Sequence, residues 1–322
     1  MACRRPRWPS RIARPPPRGR AVFIFSLRRL RGAALALLLL AVAFAFAACR
    51  PAAPAVRAGG VVDDAGDTVA VAGPPHRIVS LIPATTELLF AIGAGGSVVG
   101  RTQWCDYPAA AATVPNLGDG IAPNMEAILA ARPDLVLLYN SAQNATVAAR
   151  LRGLGIPTLR LNTDKLADVD RIGRLLGRVT GHAGSADSMA AVFDSALTGA
   201  TIAPHGRPPK VLLLVWEQPP MTIGRGSFLD ELVRRAGGVN LFEDVSSSAG
   251  TVSIEAVASR DPDLILTTTD GPVAFASRPE WQVVRAVRER RFLPVVGSEF
   301  NRPSPRAPAA IRELTAKLRR AG

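Results

Sequence analysis

The chain has 322 residues, a formal net charge of +13, 48% hydrophobic residues and three Cys. Ten Arg and no acid fall in residues 1–48, so the remainder carries 29 basic against 26 acidic residues. The high pI therefore belongs to the leader, and the basic face that nucleic-acid binding requires is missing from the rest. The length suits two lobes at ~100–200 residues per domain.

Arg28-Arg29-Leu30-Arg31 precedes an uncharged run, residues 32–48, that ends in Ala47-Ala48 before Cys49. A basic region, an apolar core and small residues define a secretory signal. The run is slightly short of the ~20 residues of a spanning helix. The terminal Cys makes it resemble a bacterial lipoprotein signal, in which Cys49 is acylated and becomes the mature N-terminus. Uncleaved anchoring and simple secretion are the other readings. With Cys49 so used, Cys105 has no partner for an internal disulfide.

Residues 50–60, rich in Pro, Ala and Gly, form a tether. The Val-flanked turn Asp63-Asp64-Ala65-Gly66-Asp67 predicts a small hairpin. Arg77-Ile78-Val79-Ser80-Leu81-Ile82 reads as the first strand of an α/β lobe. Thr85 or Thr86 is placed to cap a helix that Gly93 stops. Val98-Val99-Gly100 is a second strand, and it delivers Trp104, Cys105, Asp106 and Tyr107 to a loop at its carboxyl end, where open α/β sheets bind ligands. A helix over 145–154 and a strand over 158–161 complete this lobe. Apolar residues at helical spacing over 166–197 predict one long connecting helix that Gly181-His182-Ala183-Gly184 interrupts at most locally. A second lobe opens with Lys210-Val211-Leu212-Leu213-Leu214-Val215-Trp216 and closes with a helix over 308–320. The expected divisions are leader 1–48, tether and hairpin 49–76, N-terminal lobe 77–164, connector 165–203 and C-terminal lobe 204–322. The fold class is α/β: two Rossmann-like lobes joined by a single long connecting helix.

One stretch occurs twice. Met125-Glu126-Ala127-Ile128-Leu129-Ala130-Ala131-Arg132-Pro133-Asp134-Leu135-Val136-Leu137 returns 129 residues later as Ile254-Glu255-Ala256-Val257-Ala258-Ser259-Arg260-Asp261-Pro262-Asp263-Leu264-Ile265-Leu266. Each copy reads as a short helix opened by Glu, a stop at the residue before Pro, and a buried strand. An acid at a helix start is explained by the macrodipole alone. Its persistence at matched positions of two diverged lobes is not. One carboxylate per lobe, outside the cleft, suits a pseudo-symmetric partner bearing Arg.

Convergent catalytic groups are missing. His76, His182 and His205 lie in a turn, at the connector break and in a linker, which leaves neither a triad nor a His-rich metal centre. Gly224-Arg225-Gly226 is only a fragment of a glycine motif, and Cys105 has no nearby His. We expect no enzyme activity, no cofactor and no metal site. Trp104, Tyr107, Tyr139, Trp216 and Phe300 instead collect on strand-end loops, where flat faces with a polar handle suit a large planar ligand. The bland reading is that each packs a loop or a lobe core. Asp106 has two readings as well, ligand contact or loop cap, and Trp281 reads as core.

These residues resemble the substrate-binding proteins of ABC importers whose lobes are joined by one rigid helix. Proteins of that kind take cobalamin, iron-siderophores or haem. Leu81-Ile82-Pro83-Ala84-Thr85-Thr86-Glu87 followed by Cys105-Asp106-Tyr107-Pro108 is most similar to the cobalamin-binding branch. The resemblance implies that Trp104 and Tyr139 contact a corrin, and that Glu126 and Glu255 dock onto Arg pockets of a permease dimer served by its ATPase. It implies a monomeric, lipid-anchored receptor at the periplasm or cell surface that captures a corrinoid between its lobes. Two Trp of that branch are replaced here, by the Gly118-Asp119-Gly120 region and near Ala249-Gly250. A ferric-siderophore or haem receptor is accordingly the alternative. An oxidoreductase of similar lobed shape would need cluster-ligating Cys, and a membrane-tethered sensor would not need the Glu pair.

Overall fold

The computed structural model describes residues 60–203, 206–246, 249–268 and 273–321. The leader, Cys49 and nearly all of the tether lie outside these residues. The hairpin pairs β1 (Val61–Val62) with β2 (Thr68–Val69), antiparallel as expected. Its Asp-rich turn is held to the N-terminal lobe and to the connector by ion pairs. Buried Asp63 takes Arg152 at 2.7 Å, Asp67 takes Arg160 at 3.0 Å, and Asp64 takes Arg171.

In the N-terminal lobe, β3 (Ile78–Ser80), β4 (Val98–Arg101), β5 (Leu135–Tyr139) and β6 (Thr158–Leu161) form a parallel sheet of order β4-β3-β5-β6. Helices α1 (Pro83–Ala91), α2 (Met125–Ala130) and α3 (Ala142–Gly153) connect the strands. The strands are covered on both faces, so their side chains divide between two cores. Ile78, Leu135 and Leu137 point into one, whereas Val79, Val136 and Leu138 pack with Ile128 and Leu151 in the other. The capping expectation for α1 is corrected. Its N-cap is Ile82, with Pro83 in the first turn, and the Thr85 and Thr86 hydroxyls donate back to Ile82 O.

The connector is also corrected. It is two helices, α4 (Ala167–Thr180) and α5 (Ala183–Ala200), not a single long one. Gly181, at φ 77°, takes the left-handed conformation that ends a helix without a Cβ penalty. The two helices fold back on each other so closely that a Cβ on Gly177 would stand 2.4 Å from Ala186 Cβ. Helical spacing continues through the break because both helices bury the same apolar residue types. Val169, Ile172, Leu176 and Phe193 join one core that reaches Ile78 and Leu137 in one lobe and Val211 and Leu264 in the other.

The C-terminal sheet runs β10-β8-β7-β11-β12, with β9 also beside β7. Strands β7 (Lys210–Glu217), β9 (Val239–Asn240), β11 (Leu264–Thr267) and β12 (Phe292–Pro294) are parallel. Antiparallel β8 (Pro220–Ile223) and β10 (Ala249–Thr251) extend the sheet. Helices α6 (Phe228–Arg235), α7 (Ile254–Arg260), α8 (Arg285–Arg288) and α9 (Ala307–Ala321) complete the lobe. Trp281 is core, stacked 4.5 Å from Phe275.

The repeated stretch is equivalent in its hydrogen bonds. Asn124 and Ser253 cap α2 and α7, each accepting an amide proton at 3.1 Å. Each helix is followed by a left-handed residue before Pro, Arg132 at φ 46° and Asp261 at φ 50°. The Asp after Pro then receives the amide of the lobe's first strand: Asp134 from Arg77 and Asp263 from Lys210. Arg77 and Lys210 in turn donate their side chains to the helix-end carbonyls of Ala131 and Arg260. Pro-Asp thus locks each short helix to the start of its sheet.

Candidate functional site

The strand ends of the N-terminal lobe face residues 296–303 of the C-terminal lobe across a cavity of about 1000 Å³. A second cavity of about 670 Å³ adjoins it and shares Tyr139, Asp164, Thr268 and Asn301. The larger is at the upper end of the ~300–1,000 Å³ range of small-molecule sites.

Trp104, Asp106 and Tyr139 line the larger cavity as expected, Trp104 at 56% exposure. Three other expected contacts are elsewhere. Tyr107 lies outside the lining with the Arg306 guanidinium 4.2 Å above its ring. Trp216 lies outside both cavities, because β7 runs on into the hairpin with β8, where its Nε1 donates to Gln218 O. Phe300 is buried in the core and forms only the back wall of the smaller cavity.

The sequence reading missed several wall residues. Exposed Ile121 and Val296 add apolar surface beside Trp104 and Tyr139. Ile121 can sit there because Gly120, at φ 82°, lets the backbone press against Leu81; a Cβ would be 2.7 Å from Leu81 O. Asn144 lines the wall, donates Nδ2 to Tyr139 O, and leaves its buried Oδ1 without a protein donor. Beneath the floor, buried Cys105 Sγ is 3.2 Å from both Thr86 Oγ1 and Thr102 Oγ1, and Thr86 donates to Ser80. That network explains the Thr-Thr pair as support for the floor and gives Cys105 no opening to the cleft.

The wall is acidic. Asp106, Asp119 and Asp164 line it, and Arg302 is its one cation among the described residues. Arg302 is already satisfied: it donates to Glu87 at 2.7 Å, to Trp104 O at 2.9 Å and to Asp106. Arg306 binds the same Glu87 carboxylate at 2.7 and 2.9 Å. Glu87 belongs to α1 and both Arg to the opposite lobe, so this buried cluster ties the lobes together. Burial pushes the Asp106 carboxyl up, but the hydrogen bond and charge of Arg302 outweigh it and hold the group below the usual range. Tyr139 donates to Asp164 at 2.8 Å; burial first, then Asp164, raises its phenol to about 12.

Glu126 and Glu255 are exposed on the first turns of α2 and α7, outside both cavities. Among the described residues neither forms an ion pair. Its own amide and Ser253 hold the Glu255 carboxyl below the usual range. Among the described residues no group of three or more His, Cys, Asp or Glu is placed to hold a metal, and no helix is long and apolar enough to cross a membrane.

Comparison with known proteins agrees with this geometry. Residues 78–294 match the periplasmic binding protein family. The chain is 30% identical over 270 residues to the uncharacterized ABC transporter substrate-binding lipoprotein YvrC of Bacillus subtilis, covering 80% of this chain and 84% of that one. It is 27% identical over 248 residues to the vitamin B12-binding protein of Vibrio cholerae, covering 76% and 90%. Among solved structures, the periplasmic heme-binding protein RhuT of Roseiflexus sp. RS-1 superposes with a TM-score of 0.69 at 26% identity, covering 76% and 98%. The periplasmic vitamin B12 binding protein BtuF of Vibrio cholerae gives 0.64 at 25%, covering 77% and 98%.

Proposed function

The chain belongs to the periplasmic binding protein family of ABC importers, extracytoplasmic substrate-binding components rather than enzymes, and from that premise we propose that its cargo is a corrinoid. The observation that carries this reading is the wall of the larger cavity: exposed Trp104, Ile121, Tyr139 and Val296 among three carboxylates, with its single cation neutralised. A corrin is large and flat, carries uncharged amide arms and holds a cationic cobalt. Its apolar faces gain from burial against the aromatic rings. Haem would need an axial ligand and partners for two carboxylates. Tyr139 is the only phenol, thiol or imidazole in the lining of this cavity among the described residues, and its hydroxyl is already engaged by Asp164.

In this reading the loaded receptor presents Glu126 and Glu255 to the two Arg-bearing subunits of a permease dimer driven by its ATPase. It works as a monomer, tethered through acylated Cys49 at the periplasmic or cell surface. Two or more acyl chains are what make such attachment stable. A Cys49→Ser chain should leave the membrane fraction and lose incorporated radiolabelled palmitate; retention of label would exclude Cys49 as the anchor.

Calorimetric titration of the detergent-solubilised chain with cyanocobalamin, haemin and a ferric hydroxamate tests the cargo. One-to-one binding of cyanocobalamin, weakened about tenfold or more by Trp104→Ala, is expected, since a stacked aromatic is worth roughly 1.5–3 kcal/mol. Binding of haemin or the hydroxamate with silence from cyanocobalamin would replace the cargo.

A further inference from the structure

The two cavities differ in charge. The larger is acidic, whereas the smaller is lined, among the described residues, by Lys165 and Arg225 against one carboxylate, Asp164, at the shared edge. Among the described residues the Lys165 side chain forms no ion pair and no hydrogen bond; only its backbone is engaged, the amide donating to Asp168 Oδ2 and the carbonyl accepting from Asp168 N. The Arg225 guanidinium donates Nε to Glu243 O and stands 3.8 Å from the Glu243 carboxylate, too far for a hydrogen bond. Both side chains are exposed, and the outer guanidinium nitrogens of Arg225 keep donors to spare. Val215, Ile223 and Phe300 supply the rest of that wall with apolar surface.

Resting on the corrinoid reading, we propose that the smaller cavity is a second subsite, which takes an anionic arm of the cargo, a phosphodiester, between Lys165 and Arg225. The cleft would then be polarised. The planar cationic centre lies over Trp104 and Tyr139 beside the carboxylates, and the anion reaches past Tyr139 to the two cations. A charged pair of this kind is a point of specificity, because a ligand without the anion gains nothing from it. The receptor should therefore distinguish complete cobalamins from their phosphate-free precursors. An acidic cleft with no such subsite would favour the precursor, which is the more cationic.

The test is calorimetry on the full chain in detergent with three probes: cyanocobalamin, cobinamide phosphate and cobinamide. Both phosphate-bearing probes should bind about tenfold or more tightly than cobinamide, the scale of one charge-assisted contact. Raising salt should narrow that gap. Lys165→Gln and Arg225→Gln should each weaken the two phosphate-bearing probes by about fivefold to tenfold and leave cobinamide within twofold. Because both side chains are exposed, circular dichroism of the variants should match the parent. Equal binding of all three probes, tighter binding of cobinamide, or equal losses for every probe in the variants would overturn the subsite while leaving the corrinoid reading intact. Failure of all three probes to bind would remove both.

Discussion

Tyr139 gives the most direct reading of the cleft at the scale of one side chain. Burial and the Asp164 hydrogen bond raise its phenol to about 12, so its proton stays in place at any physiological pH. A group whose pKa is raised on folding contributes stability that is complete below the unfolded value near 10 and is lost as pH rises through the folded one. The chain has only two Tyr, so Tyr107→Phe leaves Tyr139 as the sole tyrosinate signal near 295 nm. In that background the signal should appear well above pH 10, and Asp164→Asn should move it down. A midpoint near 10 before the second substitution would mean that the pair does not form in solution. Trp104 and Tyr139 were legible because Tyr139 ends one strand and Trp104 stands on the loop just past the carboxyl end of another. Trp216 was misplaced by the same rule, and Phe300 reaches only the smaller cavity, from the core. One strand continues into a hairpin, and the other ring turns inward from a short 3₁₀ turn. Ile121 and Asn144 gave no signal, since what makes them wall residues is backbone geometry at Gly120 and a cap at Ser141.

At the scale of elements, the connector sets propensity against packing. Replacing a helical Gly by Ala ordinarily stabilises by ~1 kcal/mol. At Gly177 the new methyl would meet Ala186 Cβ at 2.4 Å, and overpacking of this kind costs ~1–3 kcal/mol. Gly177→Ala should therefore destabilise. Gly184→Ala, at a position with nothing within 4 Å, should be neutral or stabilising by up to ~1 kcal/mol. Urea melts followed by circular dichroism compare the two. A stabilising Gly177→Ala would mean that α4 and α5 do not approach this closely. The sequence showed a helical connector and named the Gly181 break, but apolar periodicity cannot distinguish one helix from two that bury the same face. The short helices of the repeat were far more legible. Their caps, stops and strand starts all fall in one short stretch, 124–135 and 253–264, and the long-range bonds that Asp134 and Asp263 accept from the first strands repeat in both copies.

At the scale of the whole molecule, two Glu sets do opposite work. Glu87 is buried between lobes, where it neutralises Arg302 and Arg306 more than two hundred residues away, a distance no local pattern reveals. Glu87→Gln would take the shared, buried carboxylate from two half-buried guanidinium groups, leaving Arg302 with Asp106 and Arg306 with Glu299, and breaking a buried pair in this way costs up to about 3–5 kcal/mol. A drop of that size in urea melts is expected, with weaker cargo binding because Arg302 also holds the Trp104 loop. Glu126 and Glu255 carry no such burden. They are exposed, form no ion pair among the described residues, and are matched across the repeat. Their removal should leave folding and cargo affinity unchanged and act only on delivery. An exposed ion pair is worth ~0.2–1 kcal/mol, so each single Ala substitution should weaken permease association by no more than about fivefold. The double substitution should multiply the two losses, to at most about thirtyfold, because distant sites are nearly additive. Uptake of labelled cyanocobalamin by cells carrying the cognate permease, measured beside calorimetry on the same variants, separates docking from capture. Unchanged uptake in the double variant would assign the matched carboxylates to the helix starts alone and leave the permease contact to other residues.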